Sequence, residues 1–167
     1  IHDLMPEINF LVTTGTVTSA NVMAKRLPVY AFHQYAPLDH GDWVNRFLDH
    51  WSPNSVLWME SELWPNMLAS LQKLNIPAAL VNAHMSARSY KRWSAFRGLA
   101  QELLRSFTII LAQTEQEADY YRQLGAKQVI VTNNLKYSAA LLTFDQTAKA
   151  GFQSAIQFRP VWLYAST

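Results

Sequence analysis

The stretch SVLWMESELWPN, from Ser55 to Asn66, decides how this chain is read. Its first five residues, SVLWM, are rich in branched and aromatic side chains and have the length of a buried strand. The run breaks into Glu60, Ser61 and Glu62. Pro65 then opens a helical pattern in which Met67, Leu68, Leu71 and Leu74 form the apolar stripe, before Asn75 stops it. Two carboxylates therefore stand between the carboxyl end of a strand and the start of a helix. In an open α/β sheet that edge is where ligands bind, because the strand-to-helix loops leave a crevice into which helix N-termini point their free N–H groups.

The same alternation continues on both sides. Upstream, INFLVTT from Ile8 to Thr14 reads as a strand, and TVTSANVMAKRL from Thr16 to Leu27 as a helix entered through Gly15. VYAFH comes after Pro28 as a second strand. A helix then runs from about Asp42 to Trp51, with Trp43, Phe47 and Leu48 on its apolar faces. Downstream come the strand PAALVN, a helical region from about Ala87 to Ser106 broken at Gly98, and the strand TIILA. The helix TEQEADYYRQL, capped by Thr114 and closed by Gly125, leads to the strand QVIVT. A loop NNLKYS, a weaker helix from about Asp145 to Gln157 and a final apolar run VWLYA complete the chain. Strands separated by single helices predict a Rossmann-like α/β fold, a parallel sheet with helices on both faces and right-handed crossovers.

Composition narrows the classes of function. With 167 residues, 50% of them hydrophobic, the chain suits one domain with a substantial core. It has no cysteine, which removes disulfides, thiol redox chemistry and cysteine metal sites. A net charge of +2 with 16% charged residues is too mild to imply nucleic acid. Aromatic residues make up 13%, which fits either an aromatic-rich core or a surface that meets lipid. No apolar run is long enough to span a bilayer.

Six strands are followed by polar residues: Thr13 and Thr14, His33 and Gln34, Glu60 and Glu62, Asn82 and His84, Gln113 and Thr114, Asn134 and Lys136. Topology predicts that they gather on one sheet edge. The competing reading is that hydroxyls and amides there are helix caps, and for Thr114 capping is the better reading. It suits Glu60 and Lys136 less: a carboxylate before a second acid and a Trp-Pro pair is an expensive turn, and Lys136 is not a cap. Lys136 reads either as an anion contact or as an ion-pair prop for Glu60. Glu62 reads equally as a site residue or as a carboxylate drawn to the following helix N-terminus. Thr13, Thr14, Gly15, Thr16 and Ser19 form a small-residue loop suited to close approach of a ligand, with a capped helix the better reading for Ser19. His84 and His33 make no metal site, having no third ligand spaced to join them. The segment RSYKRWSAFRGLAQELLRSF, from Arg88, interleaves basic and aromatic residues. It reads as an amphipathic helix on an anionic membrane surface, or as one packing its rings on the sheet with its cations solvated.

An ordered set of strings carries a resemblance: TTGTVTSA from Thr13, HQYAPLD from His33, RFLDHW from Arg46, ESELWPN from Glu60, NAHMSARS from Asn82, LAQTEQEA from Leu111, NNLKY from Asn133 and RPVWLYAST from Arg159. Together they resemble the bacterial 3-deoxy-D-manno-octulosonic acid (Kdo) transferases. The resemblance implies a two-lobed glycosyltransferase of the GT-B type. Such an enzyme moves Kdo from CMP-Kdo to a lipid A precursor with inversion, at the cytoplasmic face of the inner membrane, without a cofactor or structural metal.

Residue by residue, the resemblance and the strand-end pattern give a substrate-binding set of Thr14, Gly15, Thr16, Glu60, Asn82, Ser86, Arg88, Gln113, Asn134 and Lys136, with Glu62, Trp64 and Asn66 supporting it. The family's Ser-Val-Gly-Glu motif, whose Glu is the proposed base, has no counterpart before Ile8, so no catalytic residue is assigned here. RPVWLYAST resembles the opening strand of the nucleotide-binding lobe. The expected organisation is therefore an acceptor-side lobe over residues 1–157 and the start of a CMP-Kdo lobe over 158–167, inactive alone. Family members usually carry Arg where His84 stands and Gly where Asn133 stands; these departures bear on a cationic contact and on a loop shape. The expected partners are the lipid A precursor, CMP-Kdo through the second lobe and an anionic membrane surface. Two other readings stay open: a non-catalytic α/β domain binding carbohydrate or lipid phosphate, and a different GT-B-like enzyme such as a nucleotide-sugar epimerase.

Overall fold

A computed structural model describes residues 2–138, 144–157 and 159–162. Strands and helices alternate through the first part of the chain. They are β1 (Phe10–Thr14), α1 (Val17–Arg26), β2 (Ala31–Tyr35), α2 (Gly41–Trp51), β3 (Val56–Met59), α3 (Pro65–Lys73), β4 (Ala78–Ala83), α4 (Ala87–Ala95), α5 (Arg97–Leu104), β5 (Phe107–Ala112), α6 (Glu115–Gln123) and β6 (Val129–Val131). These belong to a compact unit spanning Ile1–Asn134, and a second unit spans Leu135–Thr167. In the second unit a 3-10 turn, Leu135–Ser138, precedes α7 (Gln146–Ile156), whose N-terminus is capped by the Asp145 side chain. Val161 and Trp162 of the apolar run VWLYA are not in a strand, and the rest of that run lies outside the described residues.

Every strand pairing among the described residues is parallel, as single-helix connections demand. The expected single sheet is instead two: β1 pairs with β2, while β3, β4, β5 and β6 hydrogen-bond in that order. The strand VYAFH starts two residues late, because Ala31 N–H closes a turn on the Pro28 carbonyl (3.0 Å) before the ladder begins, leaving Val29 in solvent. The helical region after β4 breaks at Phe96, with Gly98 inside α5. Near that break Ser94 Oγ donates back to the Tyr90 carbonyl (2.9 Å), a bond that loosens a helix turn.

One core organises the larger sheet. Leu68 and Leu71 of α3, Leu103 and Leu104 of α5, and Ala118 and Tyr121 of α6 are buried together with Leu80, Phe107 and Ile110 of the strands. Val44 and Leu48 bring α2 into the same cluster. Each fully buried large aliphatic side chain contributes about 1.5–3 kcal/mol of transfer free energy, so this cluster is the main source of stability. Side chains alternate across a sheet. The alternate set, Leu57, Met59 and Ile130, stays about half exposed. The two-stranded sheet is held less deeply; Phe32 of β2 stacks on Trp51 at the end of α2 with ring centroids 5.7 Å apart. Among the described residues no helix is long and apolar enough to cross a membrane.

Candidate functional site

The carboxyl ends of β3, β4, β5 and β6 lie side by side, and the residues just beyond each strand build a rim. Asn82, buried near the end of β4, offers its carbonyl to Gln113 Nε2 (3.0 Å), and Gln113 Oε1 accepts from Asn134 Nδ2 (3.0 Å). Gln113 N–H continues the ladder to Ala83 (3.1 Å) and Thr132 N–H to Ala112 (3.0 Å). Three neighbouring strand ends are thus joined by an amide chain whose groups satisfy one another, which fixes them before any ligand arrives.

Three left-handed residues stand at the same edge. Glu60 (φ 61), Asn82 (φ 55) and Asn133 (φ 61) are all left-handed. Asparagine tolerates this conformation; glutamate does so at roughly 1–2 kcal/mol. Glu60 N–H still reaches the Val81 carbonyl at 3.0 Å, so the turn out of β3 is made by bending the chain at Glu60 itself. At Asn133 the conformation is one that glycine and asparagine both adopt.

Ser61 ties β3 to β4. Its Oγ accepts from His84 N–H (2.9 Å), donates to the His84 carbonyl and lies 3.1 Å from the Tyr121 hydroxyl. Tyr121 is fully buried, and burial pushes its pKa up to about 12; the hydrogen bond with Ser61 pulls it down and the nearby Glu117 charge pushes it up. Glu117, the third residue of α6, is buried as well. Its N–H donates to Thr114 Oγ1 (3.3 Å) and its Oε2 accepts from the same hydroxyl (3.0 Å). Its Oε1 accepts from Met85 N–H (3.3 Å) and pairs with His84 Nδ1.

The loop ESELWPN leads into α3 through tertiary rather than local contacts. Trp64 holds the cap position without a side-chain cap bond, and Pro65 starts the helix. The free N–H groups go to Asp39 in the β2–α2 loop: Met67 N–H donates to Oδ1 (2.8 Å) and Asn66 N–H to Oδ2 (3.1 Å). Asn66 Nδ2 also donates to the Asp39 carbonyl (2.8 Å). Glu62 contributes its main chain, accepting from Trp58 Nε1 (2.6 Å), while its side chain is exposed. The carboxylate that serves this helix N-terminus is therefore Asp39's rather than that of Glu62. Trp58 and Trp64 meet edge to face, centroids 5.9 Å apart, which stiffens the loop from beneath.

At the end of the smaller sheet, Thr14 Oγ1 bonds His33 Nε2 (2.8 Å), and Thr16 caps α1 by accepting from Ser19 N–H (3.1 Å), with Gly15 between them. Ser86 caps α4 through Ser89 N–H (3.2 Å), and Arg88 is exposed in its first turn. Lys136 stands in the 3-10 turn of the second unit. In α4, Tyr90 stacks on Tyr120 (4.4 Å) and Trp93 packs against the core, while Lys91, Arg92 and, at the break after the helix, Phe96 are exposed. Among the described residues no three His, Cys, Asp or Glu side chains are placed to hold a metal ion. Asp39, Ser61, Glu117 and Tyr121 were not singled out by sequence. Only Glu117 carried a local signal, as the last residue of the Thr114-x-x-Glu capping pattern.

A family described as 3-deoxy-D-manno-octulosonic-acid transferase (kdotransferase) matches residues 1–139. The chain is 35% identical over 165 residues to a 3-deoxy-D-manno-octulosonic acid transferase of Rickettsia felis, covering 97% of this chain and 35% of that protein. It is 32% identical over 167 residues to one of Haemophilus influenzae, covering 97% of this chain and 39% of that protein. A probable mitochondrial 3-deoxy-D-manno-octulosonic acid transferase of Arabidopsis thaliana is 37% identical over 140 residues, 81% of this chain and 31% of that protein. The chain spans about a third of the length of these curated relatives.

Proposed function

The chain belongs to the 3-deoxy-D-manno-octulosonic-acid transferase family, and from that premise we propose that it is the acceptor-side lobe of a GT-B glycosyltransferase. The parent enzyme transfers Kdo from CMP-Kdo to a lipid A precursor, with inversion, in lipopolysaccharide synthesis at the cytoplasmic face of the inner membrane. Residues 1–157 form the lobe and residues 158–167 begin the one that binds CMP-Kdo. The observation that carries this reading is the family match over residues 1–139.

In this mechanism the lobe binds and orients. Inverting transfer needs a base for the acceptor hydroxyl and placed charge for the leaving phosphate. The base comes from outside these residues. Glu60, at the left-handed turn out of β3, accepts an acceptor hydroxyl or steadies a neighbouring cation. Asn82, Gln113 and Asn134, held together as an amide chain, present fixed dipoles to a sugar. Arg88 and the Ser86-capped start of α4 meet anionic oxygens, and Thr14, Gly15 and Thr16 line the end of the smaller sheet. Lys136 of the second unit is a further anion contact. Glu62, Trp64 and Asn66 shape the loop. The exposed cations of α4 beside Phe96 rest on the anionic membrane surface.

The test is transfer of labelled Kdo from CMP-Kdo to a lipid A precursor by the full-length protein. Turnover is expected there, and none from the 167 residues alone. Glu60→Gln and Gln113→Ala are expected to lower kcat/KM at least tenfold, about 1.4 kcal/mol of transition-state stabilisation. A full-length protein that binds the lipid A precursor but never transfers Kdo would replace this reading with a non-catalytic binding domain.

A further inference from the structure

We propose that one further parallel strand, supplied by the part of the full-length protein outside these 167 residues, inserts between β1 and β3 and joins the two sheets into one. Both sheets belong to the unit Ile1–Asn134, and among the described residues β1 pairs only with β2 and β3 only with β4 on that side of the larger sheet. Main-chain groups alternate in direction along a strand, so the ladders identify those that face outward. In β1, Phe10 N–H donates to the Tyr30 carbonyl (3.2 Å) and the Thr14 carbonyl accepts from Ala36 N–H (3.0 Å), so Phe10, Val12 and Thr14 face β2. Leu11 and Thr13 face away from it. In β3, Val56 N–H donates to the Pro77 carbonyl (2.9 Å) and Glu60 N–H to the Val81 carbonyl (3.0 Å), which turns the main chains of Leu57 and Met59 away from β4.

Side-chain faces show that these two edges look toward each other. Among parallel strands of L-residues, main chains that point to one side carry their side chains on one face. Val56 and Trp58 point theirs at β4, and their side chains pack on the core shared by α3, α5 and α6. Phe32 points its main chain at β1, and its ring stacks on Trp51 of α2 (5.7 Å). Leu48 and Val44, one and two turns before Trp51 on the same helix face, sit in that core. Phe32 and Trp58 thus share a face, and β1 lies on the same side of β2 as β4 does of β3. The order across the unit is β2, β1, then β3 to β6.

The chain steps outward from β1 to β2 and then back past β1 to β3. A doubly wound sheet reverses in this way about its first strand, its members lying third, second, first, fourth, fifth and sixth across the sheet. β2 and β1 fill the third and second places and β3 onward the fourth and later, so the first belongs to none of β1–β6. Strands inside a parallel sheet are covered on both faces. Leu57 and Met59 of β3 are instead 51% and 55% exposed, and no residue of β1 is buried. The strand that fits is about as long as the five residues of β1 and apolar on both faces. The curated relatives, of which this chain spans about a third, have the length to supply it. Ligands bind off the carboxyl ends where strand order reverses, so the inserted strand ends between Thr14, Gly15 and Thr16 on one side and Glu60 on the other, making one crevice of the two groups. That consequence rests on the transferase reading; the strand pairing does not.

Site-resolved hydrogen exchange on the full-length protein tests the pairing. The N–H groups of Leu11, Thr13, Leu57 and Met59 should exchange at least about a hundredfold more slowly than unprotected amides, whatever the protein concentration. Free exchange at these four, beside slow exchange at Val12 and Trp58, overturns the proposal. Protection that grows with concentration assigns the edges to a second copy and overturns it too. Direct pairing of β1 with β3 would protect the same amides, and spacing separates that case. Val12 and Leu57 carry their side chains on one face, and a strand between them sets them about 10 Å apart, twice the strand spacing. Full-length protein with Val12→Cys and Leu57→Cys should form no disulfide on mild oxidation, yet be bridged by a bis-maleimide of roughly 10 Å. A disulfide there overturns the insertion. Should the double variant misfold, cross-strand NMR contacts of the Leu11 and Leu57 amides in the parent protein decide instead: contacts to residues outside the 167 support the strand, and contacts between β1 and β3 overturn it. A full-length protein that shows the inserted strand but no Kdo transfer removes the transferase reading and keeps the strand.

Discussion

Replacing Asp39 by alanine isolates the contact that joins the β2–α2 loop to the start of α3. Asp39 accepts from Met67 N–H at 2.8 Å and Asn66 N–H at 3.1 Å, so the substitution strips two helix-terminal donors of their acceptor. A lost N-cap costs about 1 kcal/mol (range 0.5–2), and the carboxylate's interaction with the helix dipole adds about 0.3–1 kcal/mol. Asn66 is exposed and water can reach its N–H, which holds the sum near 2 kcal/mol. Asp39→Asn keeps an acceptor and loses the charge, so it should cost about 1 kcal/mol or less. For a chain of this size about 2 kcal/mol corresponds to a melting-temperature fall of roughly 4–8 °C. Guanidinium unfolding should move the midpoint at unchanged m-value, and hydrogen exchange should quicken first at Asn66 and Met67. A loss under about 0.5 kcal/mol, with those two amides exchanging as in the parent, would refute the cross-loop cap.

Single features set three other outcomes. The folded chain keeps the Tyr121 proton up to about pH 12, whereas the unfolded chain releases it near 10.0. The stability Tyr121 contributes is therefore fully present below the unfolded value and falls by about 1.4 kcal/mol per pH unit between the two, a slope that Tyr121→Phe should remove in urea titrations. Glu60→Gly should stabilise the fold by about 0.5–1 kcal/mol, left-handed strain relieved less glycine's chain entropy, read as a raised unfolding midpoint, while transfer by the full-length protein falls. Gly125 sits at φ 96, and a Cβ added there would lie 2.9 Å from Gln101 Cγ, so Gly125→Ala should lose about 1–2 kcal/mol, read as a midpoint shift.

How the chain makes its elements was written locally. Strand-length apolar runs, the 3.6-residue stripes of α2, α3 and α6, and the caps at Thr16, Ser86, Thr114 and Asp145 each involve residues within a few positions of one another. Those signals place β1 through β6 within two residues of where they fold and require parallel pairing. They also put Glu60, Asn82, Gln113 and Asn134 at strand ends. Local signals cannot say which strand lies beside which, and the split into β1-β2 and β3-β4-β5-β6 is a matter of long-range pairing.

The residues that hold the site together were hidden for the same reason. Asp39 is separated from Asn66 by 27 positions and Ser61 from Tyr121 by 60, so neither pair leaves a periodic trace. By itself the sequence determined the alternation of strand and helix, the family to which the chain belongs and the polar character of one sheet edge. Only the tertiary structure decided that a distant aspartate caps α3, that Gln113 bridges two asparagines and that a buried Glu117 orients His84, because a hydrogen bond depends on where atoms meet in space and not on their distance along the chain.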